Sequence, residues 1–417
     1  ICSDYMVHFF ENGFMTNNLM KIAKEGGRAH GLLNIGLEDF MSLELTIFED
    51  LAIADKEKIH TQVLNYVLNN KNITTQSKIS FLGALVGSNY SLSKINIKQI
   101  TITAITECSN IDLQIDIKQD SELIVKFVFE NKLKSSLHSN QLNKYKEIID
   151  NDSSLGNVCK YFIFLTLAGK YAQDDWKPLS FESYASAFGK FELANTVKNN
   201  ISVYLEDYKK TLNNLIKSYN WFMDNPKLYP ITSKAKLMHD INDVKTYDDY
   251  IRKFQLSTIF TKNYYLAKLS EIDDKPWTSI EIEETRGNAL FNLILHEYNS
   301  GAENHGRLFL QGQNGTIKLA FGLKDFKGKK KFISDSLIHA IFEEFFNDNK
   351  YLKCRFNEPE KNGYISISIG KYAENKNLSN LGDEIMLVFN EHKEKIGELN
   401  GKIDGAYKNI NTLSCNK

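Results

Sequence analysis

The chain has 417 residues, 42% of them apolar, with 51 lysines and arginines against 52 aspartates and glutamates for a formal charge of −1. That length predicts two to three domains with sizeable cores, and the near-zero charge excludes a globally basic nucleic-acid binder, so any phosphate-binding surface must be local. No apolar run reaches the roughly 20 residues that cross a bilayer, and Cys2, Cys108, Cys159, Cys354 and Cys415 form no Cys-x-x-Cys, which excludes a zinc ribbon or disulfide framework and fits reduced thiols in a cytoplasm.

Residues 1–50 alternate apolar clusters with glycine breaks at Gly26-Gly27 and Gly31, and read as a cap with helical pieces at Phe9-Phe10 and 41–51. The amino terminus has no signal-peptide shape, and no phosphate loop for ATP occurs anywhere in the chain. From Lys56 to Asn69, Ile59, Val63, Leu64, Val67 and Leu68 recur at helical spacing. Glu57 falls near that helix's start, where its dipole favours a carboxylate. His60, one turn on, reads as a core-edge or surface residue rather than a ligand. Residues 79–86 suit a short apolar helix, and β-branched residues across 98–106 suit a first strand closed by Glu107, which is either ion-paired or solvated.

The next stretch is the most informative. Ile111, Leu113, Ile115 and Ile117 alternate with Asp112, Gln114 and Asp116, the period of a strand with one core face. Residues 123–129 are almost continuously apolar, as in a strand covered on both sides, and the polar turn between the runs makes an antiparallel hairpin. Glu130 and Lys132 are two apart and share a face, while Asn131 points away. If Asp112 lies on that face too, two carboxylates and an ammonium converge. Two carboxylates and a backbone carbonyl suit Mg²⁺, and a lysine beside them can orient a water or neutralise a phosphate. The alternative is a strand end whose charges simply reach solvent. A polar loop over 133–140 leads to a helix over 140–149, where Gln141 and Tyr145 lie one turn apart on one face and free N–H groups favour phosphate oxygens. A further strand follows over 158–167, then a loop at Asp174-Asp175-Trp176 and a helix over 182–190.

In order and spacing, Asp112, Glu130-Asn131-Lys132 and Gln141-x-x-x-Tyr145 resemble the PD-(D/E)XK nuclease superfamily. The resemblance covers about residues 50–190, with Ile111 standing where the family name has proline. It implies a restriction-endonuclease-like α/β core of order α-β-β-β-α-β, a mixed sheet flanked by helices. It also implies a cofactor, Mg²⁺ or Mn²⁺, held by Asp112, Glu130 and the backbone carbonyl of Asn131 with help from Glu57. Lys132 would position the attacking water, and Gln141 and Tyr145 would lie beside the nucleic-acid backbone. The expected activity is hydrolysis of phosphodiester bonds, with DNA the expected substrate, in a bacterial setting of defence, restriction or repair. RNA cleavage remains open, as does a catalytically silent protein that binds nucleic acid or acts as a scaffold on the same fold.

The rest of the chain is expected to divide into a helical arm over 192–299 and a small α+β module over 300–417, beside the core and its cap over 1–191. Helical periodicity covers about 192–272, an arm or a homodimerisation element, including a helix over 233–241. His296-Glu297 lacks the second histidine of a zinc-protease helix. A hairpin turns at Gln313-Asn314-Gly315, followed by a basic run at 327–331, a helix over 334–346, strands over 351–356 and 364–370, and a charged helix over 383–410.

Overall fold

β-Branched residues dominate 100–106, and the strand they favour, β1 (Ile100–Cys108), starts a five-stranded sheet. β2 (Ile111–Gln119), β3 (Glu122–Lys132), β4 (Cys159–Thr166) and β5 (Trp176–Ser180) follow it in that spatial order. β1, β2 and β3 pair antiparallel, whereas β4 and β5 add in parallel, so the sheet is mixed. Asp120 and Ser121 both adopt positive φ (51° and 72°) between the paired Gln119 and Glu122. Two such residues match the twist of the strands they join, and a one-residue shift between Ile117 and Lys118 then sets the pairing that runs from Ile117↔Val125 to Leu113↔Phe129.

The computed structural model describes residues 46–87, 92, 99–134, 140–169, 175–192, 200–228, 246–299, 305–323, 340–342, 344 and 364–414. They fall into two compact units, within Ile1–Asn220 with Leu237–Leu256 and within Trp221–Lys236 with Ser257–Lys417.

In the first unit the helices are α1 (Ile47–Asp50), α2 (Glu57–Asn69), α3 (Thr75–Val86), α4 (Gln141–Asp150), α5 (Phe181–Phe188), most of α6 (Asn200–Asp224) and α7 (Tyr247–Lys253). α2 lays Val63, Leu64, Val67 and Leu68, all buried, across β1 to β3. Leu113, Ile115 and Ile117 are equally buried, and Ile111, also buried, joins the cluster under α4. α4 covers the opposite face with Leu142, Tyr145 and Ile149, packed on Val128, Phe162, Phe164 and Trp176. The face carrying Asp112, Gln114 and Asp116 is therefore not open. Its polar groups are paired instead: Lys126 Nζ donates to Asp116 Oδ1 at 2.6 Å and to Gln114 Oε1 at 3.1 Å. Glu107 is ion-paired to Lys58 at 2.7 Å. Asn69 donates from its amide to the Ala104 carbonyl and accepts from the Ala104 N–H, at 2.8 and 3.0 Å, along the outer side of β1.

His60 is a core residue. Its Nε2–H donates to the Ala54 carbonyl at 2.9 Å, so Nδ1 accepts from the Tyr208 hydroxyl at 2.8 Å, and Phe181 meets the ring edge-on. Burial pushes its pKa from 6.5 down to about 4, against the Ala54 carbonyl and the nearby Asp55 and Glu57.

The second unit is an antiparallel sheet of β6 (Ser279–Thr285), β7 (Asn288–Asn299), β8 (His305–Gln313), β9 (Thr316–Leu323) and β10 (Tyr364–Lys371), ordered β10-β9-β8-β7-β6. The helices α8 (Ser257–Ser270) and α9 (Leu381–Ser414) pack on it. The Asn314-Gly315 turn forms as expected, both residues at positive φ. The helical arm expected to reach residue 299 ends at Ser270, because 279–299 pairs as two strands around Arg286-Gly287. Ile280 and Ile282, alternating with Glu281 and Glu283, carry the two-residue period of a strand, and Arg286-Gly287 supplies the positive-φ turn. The expected features at 233–241, 327–331 and 351–356, and most of 334–346, lie outside the described residues. Among the described residues no helix is long and apolar enough to cross a membrane.

A Cβ added at Gly312 would stand 1.9 Å from Cζ of Phe291, a fully buried ring wedged by Tyr265 and Tyr372. Gly312→Ala is therefore expected to destabilise the second unit by about 1–3 kcal/mol, measured as a lower urea midpoint. An unchanged midpoint would show that the ring can retreat.

Candidate active site

The β2–β3 register runs with one offset from Ile117↔Val125 to Leu113↔Phe129, and one step further sets Asp112 across from Glu130. Both lie on the face covered by α4, and Lys132 shares it because it is two residues from Glu130. Glu130 is fully buried. Its Oε1 accepts from Lys132 Nζ and from Gln141 Nε2, each at 2.7 Å. Gln141 Nε2 also donates to the Tyr145 oxygen at 2.8 Å. Asp112 Oδ2 accepts from the Asn131 N–H at 2.8 Å. Thus five of the expected residues meet in one connected group. The sixth, Glu57, reaches the same end of β3 from α2, but its Oε1 accepts the Leu133 and Lys134 N–H groups, each at 2.7 Å.

Two antiparallel strands, one parallel neighbour and α4 build this group. Helix α4 starts at Gln141 with no side-chain cap from Asn140, itself at φ 64°, so its first turn stands next to Glu130. β4 holds the far side of β3, pairing Glu130 with Phe164 and Lys132 with Thr166. Apolar walls follow, with Phe164 and Tyr145 both buried.

The electrostatics follow from burial. The Glu130 carboxyl is pushed from 4.5 up to about 7, chiefly by burial and then by the charge of Asp112, with Lys132 opposing. Asp112 is raised by burial too, with the Asn131 N–H and the Lys132 charge working the other way. Burial disfavours the Lys132 ammonium, but Glu130, Asp112 and Glu57 outweigh it and hold the group above its ordinary value. Tyr145 is raised by burial and by the neighbouring carboxylates.

Glu130 Oε2 is buried and has no hydrogen-bond partner. A buried carboxylate oxygen without a donor is an unfavourable arrangement that a cation relieves. Among the described residues no group of three Asp, Glu, His or Cys side chains forms a ready cage. The side chains here that suit a hard cation are the two carboxylates of Asp112 and Glu130. That is compatible with Mg²⁺, which keeps waters and needs only one or two protein carboxylates.

The sequence turns the Asn131 side chain away from Glu130 and Lys132 but does not show what it meets there. The Asn131 side chain is buried on the opposite face and donates from Nδ2 to the Glu57 main-chain carbonyl at 2.9 Å, while its Oδ1 is buried with no partner. The signal was the parity of residue 131, which turns its side chain toward α2. Alongside it, Lys134 Nζ reaches Asp55 Oδ2 at 2.5 Å and the Phe254 carbonyl.

A family model described as the PD-(D/E)XK nuclease superfamily matches residues 45–223, which take in α1 to α6 and all six candidate residues. The mixed five-stranded sheet flanked by helices is consistent with that family's restriction-endonuclease-like fold. No curated protein and no solved structure matches the chain.

Proposed function

We propose that this protein, whose residues 45–223 match the model of the PD-(D/E)XK nuclease superfamily, a family of nucleases that generally use divalent metals, is a Mg²⁺- or Mn²⁺-dependent phosphodiesterase acting on DNA. The observation that carries this reading is the buried Glu130 carboxylate, opposite Asp112 and bonded to Lys132, with one oxygen left unpartnered. Asp112, Glu130 and the Asn131 carbonyl would hold the ion. When bound, such an ion acts as a Lewis acid on a phosphoryl oxygen and lowers the pKa of water.

The remaining chemistry belongs to side chains. Lys132, fixed by Glu130, offers an ammonium that steadies an attacking water and opposes the charge growing on the phosphate. Gln141 donates to both Glu130 and Tyr145, so the tyrosine oxygen is an acceptor in that bond. The Tyr145 hydroxyl hydrogen is thereby turned elsewhere, toward a phosphate oxygen of the bound strand. The first turn of α4, with its N–H groups uncapped by a side chain, favours the same anion.

The test is incubation of the full chain with linear duplex, circular duplex and single-stranded DNA and with RNA, each with Mg²⁺, Mn²⁺ or EDTA. DNA cleavage with either ion and none in EDTA is expected. Cleavage of RNA alone would replace the substrate, and binding without cleavage under every condition would overturn the enzyme reading.

A further inference from the structure

We infer that Glu57 and Asn131 are positioning residues that clasp the start of α2 to the end of β3 and so set where Glu130 and Lys132 stand. The inference rests on the proposed nuclease site but assigns these two residues a different task from metal binding. β3 pairs with β2 only as far as Phe129, opposite Leu113, while its other side continues along β4 to Lys132. Beyond Phe129, the Asn131 N–H of β3 and the N–H groups of Leu133 and Lys134, just past its end at Lys132, have no β2 strand to pair with, and buried backbone donors need partners. Two carboxylates supply them. Asp112 takes the Asn131 N–H at 2.8 Å, and Glu57 takes those of Leu133 and Lys134 at 2.7 Å each.

The bond runs the other way as well. Asn131 Nδ2 donates to the Glu57 main-chain carbonyl at 2.9 Å, so helix start and strand end each hold the other. These bonds flank the two residues that present the carboxylate and the ammonium. Charge-assisted bonds of this length are the stronger kind. Glu57 Oε1 accepts two backbone N–H groups, a task that neither Asp112 nor Glu130 shares, while the Glu57 charge still acts on Asp112, Glu130 and Lys132.

The task needs an acceptor at Glu57, not a charge, so Glu57→Gln should preserve it and Glu57→Ala should not. Three full-length variants, Glu57→Gln, Glu57→Ala and Asn131→Leu, are compared by amide hydrogen exchange and by steady-state cleavage. Expected for Glu57→Ala and Asn131→Leu is faster exchange at residues 133 and 134 and a kcat lower by about 10- to 100-fold with KM unchanged, the range seen when groups supporting a site are lost. Glu57→Gln should keep its amides protected and lose less kcat than Glu57→Ala. The clasp is overturned if Glu57→Gln loses as much kcat as Glu57→Ala with its amides still protected, since the charge would then be what matters. It is also overturned if exchange at 133 and 134 is unaltered in Glu57→Ala. Should wild type cleave nothing, the nuclease reading fails, while the exchange comparison still decides the clasp.

Discussion

Glu130→Gln is expected to abolish metal-dependent cleavage and, in EDTA at pH 8, to raise the unfolding free energy by up to about 3 kcal/mol. The carboxyl is fully buried, and its pKa is pushed from 4.5 to about 7, first by burial and then by Asp112. A carboxyl raised in the folded state contributes stability that is complete below the unfolded pKa of 4.5 and lost as pH rises through 7. Glutamine imitates the neutral form and keeps an acceptor for Lys132 and Gln141, so it escapes that loss. The gain in stability and the loss of activity have one origin, the exclusion of water from a charge that the reaction needs. Lys132→Ala makes a useful companion: cleavage should fall roughly 10³-fold, as for other charge-stabilising groups, while binding of DNA persists. A Glu130→Gln variant that still cuts would remove Glu130 from the chemistry, and one that melts lower than wild type in EDTA would contradict the burial argument.

The acid limb of the stability curve should split when His60 and Glu130 are altered one at a time. His60 has its folded pKa depressed from 6.5 to about 4 by burial. Above pH 6.5 it is neutral in both states. Below that the unfolded chain binds the proton first, so the histidine withdraws about 3 kcal/mol between pH 6.5 and 4. Over nearly the same window Glu130 adds a comparable amount as its carboxyl becomes protonated. The two contributions oppose each other, so wild type in EDTA should show a shallow dependence between pH 7 and 4.5. Glu130→Gln should reveal the full decline due to His60. His60→Gln should start lower, having disturbed the bonds to Tyr208 and Ala54, yet gain stability on acidification. Urea midpoints at half-unit intervals test this, and parallel curves for all three proteins would refute it.

Much of the first unit was legible in the sequence because its signals are local. Period-two alternation at 111–117, the apolar run at 123–129 and the helical stripe of α2 each declare themselves within a dozen residues. Parity puts Glu130 and Lys132 on one face and helix spacing does the same for Gln141 and Tyr145, but the side taken by Asp112 stays open in the sequence because a register shift between Ile117 and Lys118 decides it. What escaped depends on groups far apart in sequence. Only the fold shows that α4 covers the polar face of β2, or that Glu57 reaches backbone N–H groups some 76 residues away. β5 is not among the expected elements, since five residues, one of them proline, give too short a pattern to betray an edge strand. Strands at 279–299 were absorbed into a helical reading despite Ile280-Glu281-Ile282-Glu283, whose alternation is brief and heavily charged.

Asn69 has a consequence beyond its own helix. Its amide occupies both main-chain groups of Ala104, the point on β1 where a strand from another molecule would dock. A foreign strand arriving there would have to expel a side chain that already mimics it. The sheet is thereby guarded against open-ended stacking of copies, and any self-association of this unit through that rim must first displace one asparagine.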